Sequence, residues 1–288
     1  MRIDGNTRVV GIIGNPLGHT LSPTIHNAAF DYMGLNWCYI PVPVEEGRLP
    51  EAVEGIRALR LAGVNVTMPF KTEVIPLLDE VAMFARSVGA VNTILMDKGR
   101  LIGYNTDGGG FCTALTRDLD YEVKGRRVFI LGAGGAARSV TVSLALAGVS
   151  SITIVDLSAD RSRRLAEVIR RSAPEVRVSW LSPDDSRDMV VADSDVIINA
   201  TPLTAFQGSV LGVPVAMLNR NQLVCDLNYS LNKPPLLLEA EAMGARVVDG
   251  KGMLLYQAAA AFEIWTGLEA PVEVMRTALL KALEEARI

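Results

Sequence analysis

The 288-residue chain is short of several residue types, and each shortage excludes something. It has only two histidines, His19 and His26, too few for a multi-histidine metal site. Its three cysteines, Cys38, Cys112 and Cys225, are widely separated and lack metal-type spacing, so they read as reduced, mostly buried thiols of a cytoplasmic protein. Aromatic residues make up 6% of the chain, which argues against a stacking platform for nucleic-acid bases. Positive charge is not in excess: 28 Lys and Arg face 32 Asp and Glu, for a formal net charge of -4. A surface for nucleic acid or anionic lipid is therefore not indicated. No apolar run approaches the roughly 18 residues of a membrane span, and the polar start Met1–Asn6 is unlike a signal peptide.

What the chain does have is core material, with 49% hydrophobic and 21% charged residues over a length that fits two domains. Strand-like runs at Val9–Gly14, Trp37–Val42 and Gly63–Val66 alternate with helical patterns at Ser22–Met33, Glu51–Leu61 and Lys71–Leu78. This order predicts an α/β unit with a mostly parallel sheet. Ala90–Met96 and Arg100–Gly103, parted by Asp97-Lys98-Gly99, predict a hairpin. Beyond Gly108-Gly109-Gly110, read as a hinge or a tight helix start, come six further strands: Arg127–Leu131, Ser151–Val155, Val176–Trp180, Asp195–Asn199, Leu223–Asp226 and Arg246–Val248. With helices at Ala136–Ala147, Ala159–Ser172 and Pro235–Met243 they fit a doubly wound dinucleotide fold. The tail from Met253 reads as two helices divided by Thr266-Gly267 and Pro271, and its mixed faces leave the oligomeric state open, a homodimer included.

The most specific motif is Gly132-Ala133-Gly134-Gly135-Ala136-Ala137, which follows an apolar strand and opens a helix. Gly132 permits the tight turn, Gly134 clears the backbone for a pyrophosphate, and Ala137 lets helix and strand pack closely. The helix N–H groups then meet the phosphate charge. Asp156 ends the next strand, 24 residues after Gly132. A carboxylate there accepts hydrogen bonds from the ribose hydroxyls and repels a 2′-phosphate, so NAD is favoured, with NADP use left open by Arg161 and Arg163 nearby. The bland alternative for Asp156 is a helix N-cap.

Polar residues also collect where the first-half strands end. Thr20 and Ser22 place two hydroxyls before a helix, able to bind a carboxylate or simply to cap. Thr67 and Lys71 follow the third strand. Lys71 at an expected helix start opposes the helix dipole, and such a local conflict often has a functional reason. Asn92 lies in a strand, and Asp107 lies at the boundary between the two α/β series. A Lys and an Asp facing each other at a cleft form a proton-transfer pair.

Taken together, Asn15–Pro23, Asn65–Lys71, Gly89–Thr93, Asn105–Gly108, Gly132–Arg138, Asn199-Ala200-Thr201-Pro202 and Gly250–Gln257 resemble the shikimate dehydrogenases, including the quinate/shikimate branch. The resemblance covers almost the whole chain. It implies a substrate domain of residues 1–106 completed by helices in 250–288, and a Rossmann-type NAD(P)-binding domain of residues 107–249. It also implies that Thr20 and Ser22 hold a substrate carboxylate. Thr67, Lys71, Asn92, Asp107 and Gln257 would surround the substrate hydroxyls, with Lys71 and Asp107 as the catalytic pair. Tyr229 would lie beside the substrate. Gly132, Ala133, Gly134, Gly135, Ala136, Asp156, Arg161, Thr201, Gly250 and Met253 would meet the cofactor.

The implied reaction is reversible, metal-free reduction of 3-dehydroshikimate to shikimate, with NAD favoured and NADP open. Three departures bear on it. Thr20 stands where shikimate-specific members usually have Ser, which narrows the carboxylate pocket. Asp156-Leu157-Ser158 replaces the Asn-Arg-Ser/Thr run of NADP-using members. Leu203-Thr204-Ala205 follows Pro202 where a Gly-Met pair is usual. Quinate, an amino analogue of shikimate, and a non-catalytic nucleotide sensor on the same fold remain the alternatives; retention of Lys71, Asn92, Asp107 and Gln257 together speaks against the sensor.

Overall fold

The structure is a computed structural model that describes residues 3–201, 212–229 and 231–286. The chain divides into two compact units, one made of Met1–Gly110 and Leu254–Arg287, the other of Phe111–Met253 with the terminal residue. The crossings drawn from the sequence, after residues 106 and 249, are each displaced by four residues, because a helix begins before each crossing and runs through it.

The first unit opens with β1 (Arg8–Gly14), α1 (Ser22–Tyr32), β2 (Trp37–Pro43), α2 (Leu49–Ala58) and β3 (Gly63–Val66). It continues through β4 (Glu80–Val81), α3 (Met83–Val88), β5 (Thr93–Asp97) and β6 (Arg100–Tyr104). Its six-stranded sheet has the order β2-β1-β3-β5-β6-β4. β1 pairs in parallel with β2 and β3, whereas the β5–β6 hairpin runs antiparallel. The β-branched run Val9, Val10, Ile12, Ile13 suits a strand covered on both faces, and three of the four are buried. Val64, Val66, Phe70, Ile94 and Leu101 form the core on one side of the sheet.

Gly14, at the end of β1, is a site of close approach: a Cβ there would run into the Thr67 side chain, so only glycine lets the ends of β1 and β3 come together.

The helix expected at Lys71–Leu78 is absent. Single turns and a short 3₁₀ segment, Ile75–Leu77, take its place. Pro76 supplies no N–H, and the Lys71 carbonyl accepts instead from Val91 N–H at 2.8 Å. The helix-dipole conflict argued for Lys71 therefore does not arise. Short α3 and β4 had no counterpart in the sequence reading, being too short to show a period.

α4 (Asp107–Leu119) begins at Asp107 and contains Gly108–Gly110 in its first turn, so that glycine run is helical. The second unit continues as β7 (Arg127–Leu131), α5 (Gly135–Leu146), β8 (Ser151–Val155), α6 (Ala159–Ser172) and β9 (Arg177–Leu181). It ends with α7 (Asp188–Asp193), β10 (Val196–Asn199), β11 (Leu223–Asp226), α8 (Pro235–Ala242) and β12 (Arg246–Val248). Its strands pair in parallel in the order β12-β11-β10-β7-β8-β9. This is the doubly wound arrangement, whose ligand crevice lies at the carboxyl ends of the central strands.

α9 (Lys251–Thr266) and α10 (Val272–Ala286) follow, and within the first unit α10 packs on α1. Trp265 of α9 donates its indole N–H to the Ile94 carbonyl at 2.9 Å, which anchors the helix to the sheet. Among the described residues no helix is long and apolar enough to cross a membrane, and no group of three or more His, Cys, Asp or Glu could hold a metal ion.

Candidate active site

In the first unit, the turn after β3, the residue before β5, the first residue of α4 and the body of α9 bring Lys71, Asn92, Asp107 and Gln257 together. Lys71 Nζ lies 2.7 Å from Asp107 Oδ2, a largely buried ion pair. Such a pair offsets its desolvation cost only if the remaining polar atoms are also satisfied. On the Asp107 side they are: Asn92 Nδ2 donates to Asp107 Oδ1 at 2.8 Å, and the Asp107 backbone N–H donates to Asn105 Oδ1 at 3.2 Å. Asp107 is also the first residue of α4, where the helix dipole favours a carboxylate. Asn92 Nδ2 reaches Gln257 Oε1 at 3.4 Å, and Gln257 Nε2 donates to the Leu254 carbonyl at 3.0 Å. The result is an ammonium held against a fixed carboxylate with amide groups beside it. This set can donate a proton to an alkoxide and hydrogen-bond neighbouring hydroxyls.

Thr67 stands at the end of β3, its backbone N–H on the Ile13 carbonyl at 2.9 Å. Ser22 is the first residue of α1 and is buried, but it does not cap the helix; the N-cap is Leu21, without a side-chain cap. The capping alternative for Ser22 is thus not realised. Thr20 Oγ1 accepts from the Ser22 N–H at 3.4 Å, which keeps the two hydroxyl residues together. Burial pushes the Tyr39 phenol above its ordinary range, and a hydrogen bond with Ser22 opposes that rise. Tyr39, Asn65, Thr93 and Thr106 were not singled out from the sequence. All four are buried and hydrogen-bonded within this cluster.

In the second unit β7 leads into the glycine turn. Gly132 has φ +102°, and a Cβ there would approach the Ala200 carbonyl oxygen to 2.9 Å, so both conformation and space call for glycine. Gly134 is the N-cap of α5, Gly135 and Ala136 form its first turn, and Ala137 is wholly buried against the sheet.

Asp156 pins this turn from the end of β8: its Oδ2 accepts the Ala133 N–H at 2.8 Å and its Oδ1 accepts the Ser158 N–H at 2.9 Å. Arg161 adds a two-pronged contact, Nη2 to Oδ1 at 2.7 Å and to Oδ2 at 2.9 Å. The N-cap of α6 is Ser158, so the capping alternative for Asp156 does not hold. Arg163 turns away and pairs with Asp160.

A second network lies at the carboxyl ends of β10 and β11. Asn199 Oδ1 accepts from the Thr201 hydroxyl at 2.6 Å, and Asn199 Nδ2 donates to Asp226 Oδ2 at 2.9 Å. Asn228 Nδ2 donates both to Asp226 Oδ1 at 2.7 Å and to the Thr201 carbonyl at 2.8 Å. Burial raises the Asp226 pKa, and the hydrogen bonds from Asn199 and Asn228 counter it. Gly250 joins through its N–H to the Asn228 carbonyl at 2.9 Å. Tyr229 follows Asn228, with burial raising its hydroxyl pKa, and Met253 is buried in α9. The sequence shows Asn199 only within a motif and Asp226 only as a strand end, because their bonding with Asn228 needs the strand order. Leu203-Thr204-Ala205 lies outside the described residues.

Residues 12–94 match the shikimate dehydrogenase substrate binding domain, and residues 250–280 match the shikimate 5′-dehydrogenase C-terminal domain. A curated relative, the shikimate dehydrogenase (NADP(+)) of Desulforamulus reducens, is 43% identical over 284 residues, covering 97% of each chain. The chain belongs to the shikimate dehydrogenase family.

Solved family structures agree. A shikimate dehydrogenase in complex with NADP+ superposes with a TM-score of 0.88 at 38% identity, covering 98% of each chain. The shikimate 5-dehydrogenase of Listeria monocytogenes, in complex with shikimate and NAD, gives 0.88 at 35% identity, covering 97% of this chain and 98% of that one. A quinate dehydrogenase of Corynebacterium glutamicum, in complex with NAD, gives 0.87 at 32% identity, covering 96% and 99%. The chain thus carries the family's α/β substrate domain and Rossmann-like NAD(P)-binding domain.

Proposed function

We propose that this protein is a shikimate dehydrogenase, catalysing the reversible NAD(P)-dependent reduction of 3-dehydroshikimate to shikimate. The observation that carries the reading is the Lys71–Asp107 pair at 2.7 Å, held by Asn92 beside Gln257. The second unit fits a dinucleotide: the positive-φ turn at Gly132 and the start of α5 suit a pyrophosphate, with Gly134, Gly135 and Ala136 offering backbone N–H groups and Ala133 held in the turn by its own N–H on Asp156. Thr201, Gly250 and Met253 are assigned to the nicotinamide side.

When bound, the nicotinamide supplies or accepts the hydride. Lys71 gives the proton to the alkoxide formed in reduction and takes it back in oxidation. Asp107 accepts a hydrogen bond from the same hydroxyl and keeps Lys71 aimed at it. Thr67, Asn92 and Gln257 bind the neighbouring ring hydroxyls, Thr20 and Ser22 bind the carboxylate, and Tyr229 flanks the substrate.

Asp156 selects NAD by accepting the ribose hydroxyls and opposing a 2′-phosphate. Its two-pronged contact with Arg161 weakens that opposition, which leaves NADP a usable second cofactor. The Desulforamulus reducens relative is named for NADP(+) and the Listeria structure holds NAD, so the preference is open to a direct test. The second reading, quinate oxidation, is favoured by Thr20 and by the likeness to a quinate dehydrogenase.

Initial rates for shikimate and quinate, each with NAD and with NADP, separate these readings. The highest kcat/KM is expected for shikimate with NAD. A higher value for quinate would replace the substrate assignment, and no oxidation of either would overturn the activity.

A further inference from the structure

A row of buried polar side chains joins the Ser22 end of the first unit to the Lys71–Asp107 pair, and the reaction roles above do not use it. Backbone groups with a single hydrogen-bonding role set the direction of every proton along it. The Asn92 carbonyl can only accept, so the Asn65 group facing it at 3.0 Å is Nδ2. Asn65 Oδ1 therefore turns to Tyr39, whose hydroxyl donates at 2.8 Å. Asn65 Nδ2 also reaches Thr93 Oγ1 at 3.0 Å, which leaves the Thr93 proton for Asn92 Oδ1 at 3.0 Å. The Thr106 backbone N–H, a donor only, meets the same Oδ1 at 2.8 Å. Asn92 is thereby turned with Nδ2 toward Asp107 Oδ1 at 2.8 Å.

The far end of the row is fixed by ring packing. Tyr39 stacks on His26 with centroids 4.5 Å apart and planes 3° from parallel, and Trp265 packs beside both, 5.2 Å from His26 and 6.0 Å from Tyr39. His26 is fully buried, and neither ring nitrogen has a hydrogen-bond partner among the described residues, so it serves as a neutral plate.

We infer that Tyr39 is a positioning residue for the proposed reaction: by donating to Asn65 Oδ1 its hydroxyl holds Asn65, and through Thr93 the Asn92 amide, rigidly in the orientation the backbone groups set, and so steadies the carboxylate that aims Lys71. The inference rests on the function proposed above. Tyr39→Phe keeps the stacked ring and removes only the hydroxyl, while Thr93→Val keeps the shape of its side chain and breaks the row in the middle.

Steady-state kinetics on shikimate well below each melting temperature should show kcat lower on the order of tenfold in each variant, with KM changed by less than about threefold. Because both changes cut one row, the double variant should fall no more than about twofold below the worse single variant. A kcat for Tyr39→Phe within about twofold of wild type, with only Tm lowered, would reduce the row to a structural role and overturn the inference. Losses that multiply in the double variant would overturn it too. Should Tyr39→Phe fail to fold, an unchanged kcat in Thr93→Val decides against it. Wild-type protein inactive on shikimate would instead remove the function on which the inference rests.

Discussion

Two candidate-site ion pairs, Lys71–Asp107 in the first unit and Arg161–Asp156 in the second, are built in opposite ways. In the first unit both partners are enclosed, with the Lys71 and Asp107 side chains 17% and 7% exposed. In the second unit the Asp156 side chain is 4% exposed, whereas its partner Arg161 is 52% exposed. Enclosure raises the strength of the Lys71–Asp107 contact and fixes its geometry, as a group that must hand over a proton requires. The Arg161 guanidinium can turn out into water, while the buried Asp156 carboxylate keeps the backbone N–H groups of Ala133 and Ser158. The first arrangement suits chemistry on one fixed hydroxyl. The second suits a cofactor pocket that admits two nucleotides.

Removing the negative charge from each pair tests that difference. Asp107→Asn leaves the side-chain volume and takes away the charge that aims Lys71. Turnover is expected to fall on the order of a hundredfold, with nucleotide affinity unchanged by direct titration. Asp156→Asn should leave turnover with the preferred cofactor nearly intact. It should raise the NADP-to-NAD ratio of kcat/KM on the order of tenfold, or about 1.4 kcal/mol. An unchanged ratio would remove Asp156 from cofactor choice, and a large loss of turnover would erase the contrast between the pairs.

The smallest effect concerns the packing behind the enclosed pair. Burial lowers the His26 pKa from 6.5 to about 3, so below pH 6.5 the unfolded chain takes up a proton that the folded chain does not. This contribution to stability is complete above pH 6.5 and drains away as the pH falls toward 3. The loss is about 1 kcal/mol between pH 6 and pH 5. His26→Phe keeps a ring against Tyr39 and deletes the titration. Denaturant unfolding of both proteins across that interval should show a steeper decline in wild type. Parallel curves would mean that His26 is not buried neutral.

Legibility in the sequence followed the range of the interactions. β7, β8, β11 and β12 were placed to the residue because apolar runs and turn residues define them locally. The β5–β6 turn was likewise marked by Lys98-Gly99, both at positive φ. The helix drawn over Lys71–Leu78 failed because Pro76 and the bond from Val91 N–H to the Lys71 carbonyl outweigh a helical pattern. Of the candidate site, Lys71, Asn92 and Asp107 stood out as polar residues at strand ends. Tyr39, Asn65 and Thr93 did not, because a Tyr in a strand and an Asn in an apolar run look like ordinary strand residues. Their bonds span up to 28 positions, and only the pairing of β1 with β2 and β3, and of β3 with β5, makes them neighbours. Asp156 was read as free to meet a ribose; that Arg161 and two backbone N–H groups already hold it depended on the fold of the loop after β8.

The central claim is that Lys71 moves the proton while the second unit binds the nucleotide without its help. The most direct measurement is shikimate oxidation by Lys71→Ala at saturating cofactor, with nucleotide affinity titrated on the same preparation. The account predicts turnover reduced on the order of a hundredfold or more with affinity retained. Near-full turnover would contradict it, and so would a turnover loss fully explained by lost nucleotide binding.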